Sequence, residues 1–133
     1  MTSTVAYMGN LRTVAVHLSS NNEIITDAPK DNHGQGEAFS PTDLIATSLA
    51  SCMITIMGIK ANDLGIDLTN THATITKHMG TSPRRISKIE LVIYMNQDFG
   101  HEINTKLERA GLACPVAQSL HVNLEQDIEF IYP

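Results

Sequence analysis

The stretch from Ser40 to Asp63 constrains the fold more than any other part of the chain, because it is long, apolar and almost uncharged. Ser40, then Pro41, then Asp43 three residues on, reads as a helix N-cap, a proline at the first helical position and an acidic first turn. Leu44, Ile45, Leu49, Cys52, Met53, Ile56 and Ile59 recur mostly at steps of three and four, with Ala46, Thr47, Ser48, Ala50 and Ser51 between them. The pattern is apolar or small on every side, as in a helix buried by neighbours all round. Lys60, Asn62 and Asp63 restore polarity, and Gly65 supplies the stop. About 22 residues at a rise of ~1.5 Å make a rod of roughly 33 Å, long enough to cross a small domain. The same length would span a bilayer, but Asp43, the serines and threonines and the lack of a basic flank favour a core helix.

Short strands surround this helix. Residues 2 to 8 and 11 to 18 form a predicted hairpin about the Gly9-Asn10 turn, and Glu23 to Thr26 is a further strand. Asp27 to Phe39, with Pro29, Gly34 and Gly36, is a loop long enough to be functional. Residues 67 to 78 and 86 to 96 alternate with period two about Gly80 to Pro83, a second hairpin. Gly100 to Leu112 is amphipathic, Cys114-Pro115 opens a helical turn through Leu120, and residues 122 to 131 close the chain as a strand. The expectation is one α+β domain over residues 1–133, with antiparallel β-sheets wrapped around a long central buried helix.

A net charge of −5 without a basic stripe argues against nucleic acid or anionic lipid as a partner, since phosphate binding needs surplus Lys and Arg. Met1 to Tyr7 lacks the charged start and apolar run of a signal peptide, so the expected compartment is the cytoplasm. No G-x-G-x-x-G, Walker loop or G-x-S-x-G elbow is present, which removes nucleotide binding and serine hydrolysis. Six histidines are scattered; His72 and His78 share a strand face, but three ligands at defined spacing are missing, so no metal is expected.

Two cysteines remain as candidate chemistry. Cys52 lies in mid-helix, and Cys114 lies just before a proline that begins a helix, where unpaired amides and the helix dipole lower a thiol's pKa. Read singly, either is equally a small buried hydrophobe. Their separation names no metal or redox motif, and C-x-x-C is absent.

Taken together, Phe39-Ser40-Pro41-Thr42-Asp43-Leu44, Leu49-Ala50-Ser51-Cys52-Met53 and Cys114-Pro115-Val116 resemble the osmotically inducible protein C and organic hydroperoxide resistance (OsmC/Ohr) family. The order of elements is similar as well, so the resemblance covers essentially the whole chain. It implies an intertwined homodimer that reduces organic hydroperoxides with an external dithiol and no cofactor, Cys52 matching the peroxidatic cysteine and Cys114 the resolving one. An OsmC-fold stress protein that binds a small apolar ligand at the dimer interface is the alternative. An apolar surround raises a thiol's pKa, so a peroxidatic Cys52 needs a cation; Arg12, on the first hairpin, is the candidate the resemblance supplies, ahead of Arg84 and Arg85. The family's peroxidases carry a glutamate directly after the helix proline to orient that arginine. This chain has Thr42 there and an acid only at Asp43, which also reads as a capping residue. Thr42 and Cys52, ten residues apart, are separated by roughly 15 Å along the helix. Glu37 in the preceding loop is another potential arginine partner.

Overall fold

A computed structural model describes residues 1–133. Contacts divide the chain into two compact units, Met1–Ile45 and Ala46–Pro133.

The first unit is an antiparallel meander of β1 (Ser3–Gly9), β2 (Arg12–His17) and β3 (Glu23–Asp27). The β1–β2 turn falls on Asn10 (φ 54°) and Leu11 (φ 62°), one residue later than the Gly9-Asn10 pair the sequence suggests. A bulge between Tyr7 and Gly9 accounts for the shift. β3 extends one residue further than predicted, to Asp27, because its register with β2 runs through to the Arg12–Asp27 pair. The loop that follows folds back on itself. The amides of Asn32 and Gly34 donate to the carbonyl of Pro29, the Gly36 amide to that of Ala28, and the Asp27 amide to that of Phe39. A methyl group at Gly34 would lie 1.7 Å from the Ala28 carbonyl oxygen, so only glycine allows this closure.

α1 (Pro41–Leu64) starts where the capping signals place it and carries most of its length into the second unit. Ser40 and Asp43 form a reciprocal capping box. The Ser40 amide donates to the Asp43 carboxylate (2.9 Å), and the Asp43 amide donates to Ser40 Oγ (3.0 Å). At the other end Gly65 (φ 69°) closes a Schellman motif, its amide bonding the Asn62 carbonyl and the Ile66 amide that of Ala61. α1 is long and apolar enough to cross a membrane, yet Ala46, Leu49, Ala50, Met53, Met57 and Ala61 are buried in protein, which makes it a core helix. Burial does not extend all round. Ile45, Ser48, Ser51, Thr55, Ile59 and Asn62 form an exposed stripe along the single chain. Ile45 and Ile59 on that stripe raise the average hydropathy without belonging to the buried face.

The second unit packs this helix against a three-stranded sheet of β4 (His72–Gly80), β5 (Arg85–Tyr94) and β6 (Glu125–Ile131), in that order. β4 begins five residues later than predicted, because Asp67 Oδ1 accepts from both the amide (2.9 Å) and hydroxyl (2.7 Å) of Thr69 and turns the chain before the ladder starts. β6 pairs with β5 in parallel, which corrects the all-antiparallel expectation. A parallel neighbour needs a crossover connection, and the segment from residue 95 to 124 provides it with α2 (His101–Leu112) and α3 (Pro115–Ser119). Ile89, Leu91 and Ile93 on the inner face of β5 join Leu49, Met53 and Met57 of α1 and Leu107 of α2 in one core cluster. α2 approaches α1 closely at Gly111, where an added methyl would sit 2.9 Å from Cγ and Sδ of Met57.

The C-terminal strand is fastened to α2 by a bond from the Tyr132 hydroxyl to Glu108 Oε1 at 2.6 Å. Burial and that carboxylate push the phenol pKa well above its ordinary value, so it donates throughout the physiological range. Tyr132→Phe is expected to cost about 1.5 kcal/mol in urea unfolding, the usual loss of one hydrogen bond to a charged group. A loss below a few tenths of a kcal/mol would show that the bond contributes nothing.

Candidate thiol and guanidinium sites

In the second unit the sequence-predicted cysteines come together. Cys52, half-buried on α1, and Cys114, fully buried between α2 and α3, are both free thiols in the same core, close enough for Cys52 to help raise the Cys114 pKa. Local structure fixes Cys114. Its amide bonds the Gly111 carbonyl (3.0 Å) as α2 ends, its extended backbone (φ −61°, ψ 148°) makes it the N-cap of α3, and Pro115 occupies the first helical position. The Ala117 amide donates to Cys114 Sγ at 3.3 Å.

Helix position does not lower the Cys114 pKa, contrary to the sequence-based expectation. Burial pushes this thiol up and outweighs the Ala117 and Val116 amides, and neighbouring Cys52 adds to the rise. The end of a five-residue helix supplies only weak partial charge, while desolvation acts on the whole thiolate. Cys114 is thus held as a protonated thiol beside a more accessible one.

In the first unit Arg12 is clamped by carboxylates. Nε donates to Asp27 Oδ1 (2.7 Å) and Nη2 to Asp27 Oδ2 (2.8 Å), while Nη2 reaches Glu37 Oε2 at 3.3 Å. Glu37 is therefore a partner of Arg12, as expected, but the secondary one. Asp27 is the principal partner, and it ends β3 where the sequence predicts the start of a loop. Arg12 and Asp27 are directly opposed on β2 and β3, a pairing that no local sequence signal marks. Hydrogen bonding from Arg12 holds the Asp27 carboxyl below its ordinary range against the effect of burial, aided by the amides of Glu37 and Ala38. Thr42 and Asp43 lie in the first turn of α1, the Thr42 hydroxyl 3.1 Å from Ser40 Oγ and Asp43 in the capping box.

The histidines are occupied separately. His78 Nε2 lies 2.5 Å from Glu90, His72 stacks on Tyr94 with ring centroids 5.1 Å apart, and His17 bonds Ser20. No three His, Cys, Asp or Glu side chains gather as a metal would require.

An α+β fold whose long core helix presents a thiol to a second, buried thiol defines a class of paired-cysteine proteins. The chain belongs to the OsmC-like protein family, whose family model matches residues 34–129. A protein from Psychrobacter arcticus 273-4, provisionally described as an osmotic stress induced and detoxification response protein, is 53% identical. The match covers 98% of this chain and 96% of that one, with a TM-score of 0.96. The organic hydroperoxide resistance protein OsmC of Legionella pneumophila shares the fold at 16% identity (TM-score 0.76; 98% and 96% coverage). So does the organic hydroperoxide resistance protein OhrB of Bacillus subtilis at 17% identity (TM-score 0.70; 98% of each chain). No curated protein sequence matches the chain.

Proposed function

We propose that this OsmC-like domain is a cysteine-based organic hydroperoxide reductase, cytoplasmic and homodimeric, that draws its electrons from an external dithiol. The packing of a half-buried thiol and a fully buried one in the same core carries the reading, and Cys52 adds to the rise of the Cys114 pKa. Cys52 thiolate attacks the distal oxygen of an alkyl hydroperoxide. The O–O bond breaks, the alkoxide leaves and takes a proton to become the alcohol, and Cys52 becomes a sulfenic acid. The Cys114 sulfur then attacks the sulfenic sulfur, and hydroxide leaves with the Cys114 proton as water, so that a disulfide forms. The external dithiol reduces it by exchange. In this reading Arg12 supplies the cation a thiolate needs in an apolar setting, and Glu37 shares its charge. Relatives described as organic hydroperoxide resistance proteins support the substrate class.

Stopped-flow consumption of cumene hydroperoxide with a dithiol present tests the proposal. Wild-type protein should exceed Cys52→Ser by at least about a hundredfold, as expected when the nucleophile is removed. Equal rates would sink the peroxidase reading and leave the ligand-binding stress protein, whose function should survive Cys52→Ser and whose bound molecule native mass spectrometry should detect.

A further inference from the structure

We propose that Asp27 is the positioning residue for Arg12, taking the place of the first-turn glutamate that this chain lacks at Thr42; the inference rests on the peroxidase reading above. Three observations carry it. First, the contact is bidentate, with both Asp27 oxygens engaged by Nε and Nη2 at 2.7 and 2.8 Å. Such a fork fixes the plane of a guanidinium as well as its location, and a single contact does not. Second, the Asp27 side chain is wholly inaccessible (0%) while the Arg12 side chain retains 31% exposure, so the anchor is buried and the arginine it holds keeps access to solvent. Third, Asp27 is itself anchored. The Glu37 amide donates to its Oδ2 at 3.1 Å, and its own amide bonds the Phe39 carbonyl at 3.1 Å, which ties the closed loop to the strand end.

Glu37 behaves differently. Its side chain is 70% exposed and meets Arg12 through one contact of 3.3 Å, a geometry in which an ion pair exchanges freely with water. Asp27 and Glu37 together outweigh the single positive charge of Arg12, so a guanidinium that serves a thiolate has to shed one of them. Glu37 is the one that can leave. Asp27 stays, because separating it from Arg12 would strand a buried carboxylate. Since Nε and Nη2 face Asp27, the Nη1 group lies on the side of the guanidinium away from that carboxylate and is the edge left to meet an anion.

The test follows iodoacetamide alkylation of Cys52 against pH in full-length protein carrying Cys114→Ser, so that one thiol reacts. Asp27→Asn, Arg12→Gln and their combination are compared in that background. Asp27→Asn is expected to move the profile to higher pH by about one unit, which is about tenfold slower alkylation on the rising limb. The sign discriminates, because removing a negative charge that has no positioning role would ease thiolate formation and move the profile down. The combined variant should match Arg12→Gln alone, since Asp27 acts through Arg12. A downward or absent shift for Asp27→Asn, or a further shift in the combined variant, overturns the proposal. Should Asp27→Asn fail to fold, nitrogen-15 NMR of wild-type protein decides. A slowly exchanging Arg12 Nε–H signal, assigned by its loss in Arg12→Lys, is expected, and its absence from the folded protein overturns the proposal. Neither readout uses peroxide turnover, so Asp27 can fail while Cys52 passes the peroxidase test, and the reverse.

Discussion

Cys114→Ser is expected to consume one equivalent of organic hydroperoxide per chain and then stop under disulfide-specific recycling, with Cys52 held as a sulfenic acid that dimedone labels. Cys114 is the only other cysteine in the chain and packs in the same core as Cys52, so removing it leaves the sulfenic acid without a second thiol to condense with. Serine keeps the size and the capping position, and its hydroxyl can still accept the Ala117 amide, so the fold should survive. Steady-state turnover with a dithiol such as dihydrolipoamide should fall by at least about a hundredfold, whereas the first-turnover rate should change less than about threefold. The raised Cys114 pKa sharpens this expectation. In the proposed mechanism, a thiol kept protonated by burial does not compete for the peroxide and acts as a nucleophile only once Cys52 has been oxidised. Undiminished multiple turnover in the variant would show that the external reductant attacks the sulfenic acid directly and that Cys114 is a buried hydrophobe.

Leu107→Ala should produce the largest loss of stability among single truncations in α2. Leu107 is fully buried and joins Met53, Met57, Ile89, Leu91 and Ile93 in the core. It holds α2 on the sheet, with Gly111 seated on Met57 one turn later. Removing a buried leucine side chain down to alanine costs about 3 kcal/mol where the surroundings cannot collapse into the gap. Collapse is restricted here because Gly111 already brings the helix as close to Met57 as the backbone allows. The exposed Lys106 gives the contrast. Its bridge to Glu102 (3.1 Å, one turn apart on the helix surface) is open to water, and Lys106→Ala should cost no more than about 0.5 kcal/mol. Urea unfolding at fixed m-value reads both, and a loss under about 1 kcal/mol for Leu107→Ala would contradict this account of the core. Because the Cys114 amide bonds the Gly111 carbonyl at the end of α2, the truncation should also raise the alkylation rate of Cys114 in the folded protein.

Local signals made much of the fold legible. Ser40, Pro41 and Asp43 carry the N-terminus of α1 in their side chains, and Gly65 carries its end through a φ of 69° that other residues avoid. The hairpins followed from alternation and turn chemistry, and the pairing of Cys52 with Cys114 followed from a family resemblance that neither cysteine supports alone. The misreadings share one cause. Period-two alternation does not record strand direction, so β6 needed the α2–α3 crossover to become parallel. An apolar helix does not announce which stripe will face its sheet, so the exposed line from Ile45 to Asn62 was invisible.

The chemistry divides in the same way. The sequence by itself determined which atoms are available: two thiols, one arginine on the first hairpin and no glutamate after Pro41. Only tertiary structure decided their states. Asp27 became the partner of Arg12 because β2 and β3 pair in a register that opposes them, a relation between residues fifteen positions apart that no local pattern encodes. Cys114 became a high-pKa thiol because three-dimensional burial overcame the helix-end amides that its position before Pro115 promised. Hydrogen-bond donors near a residue can be read from its neighbours in the chain, whereas desolvation depends on everything that folds over it.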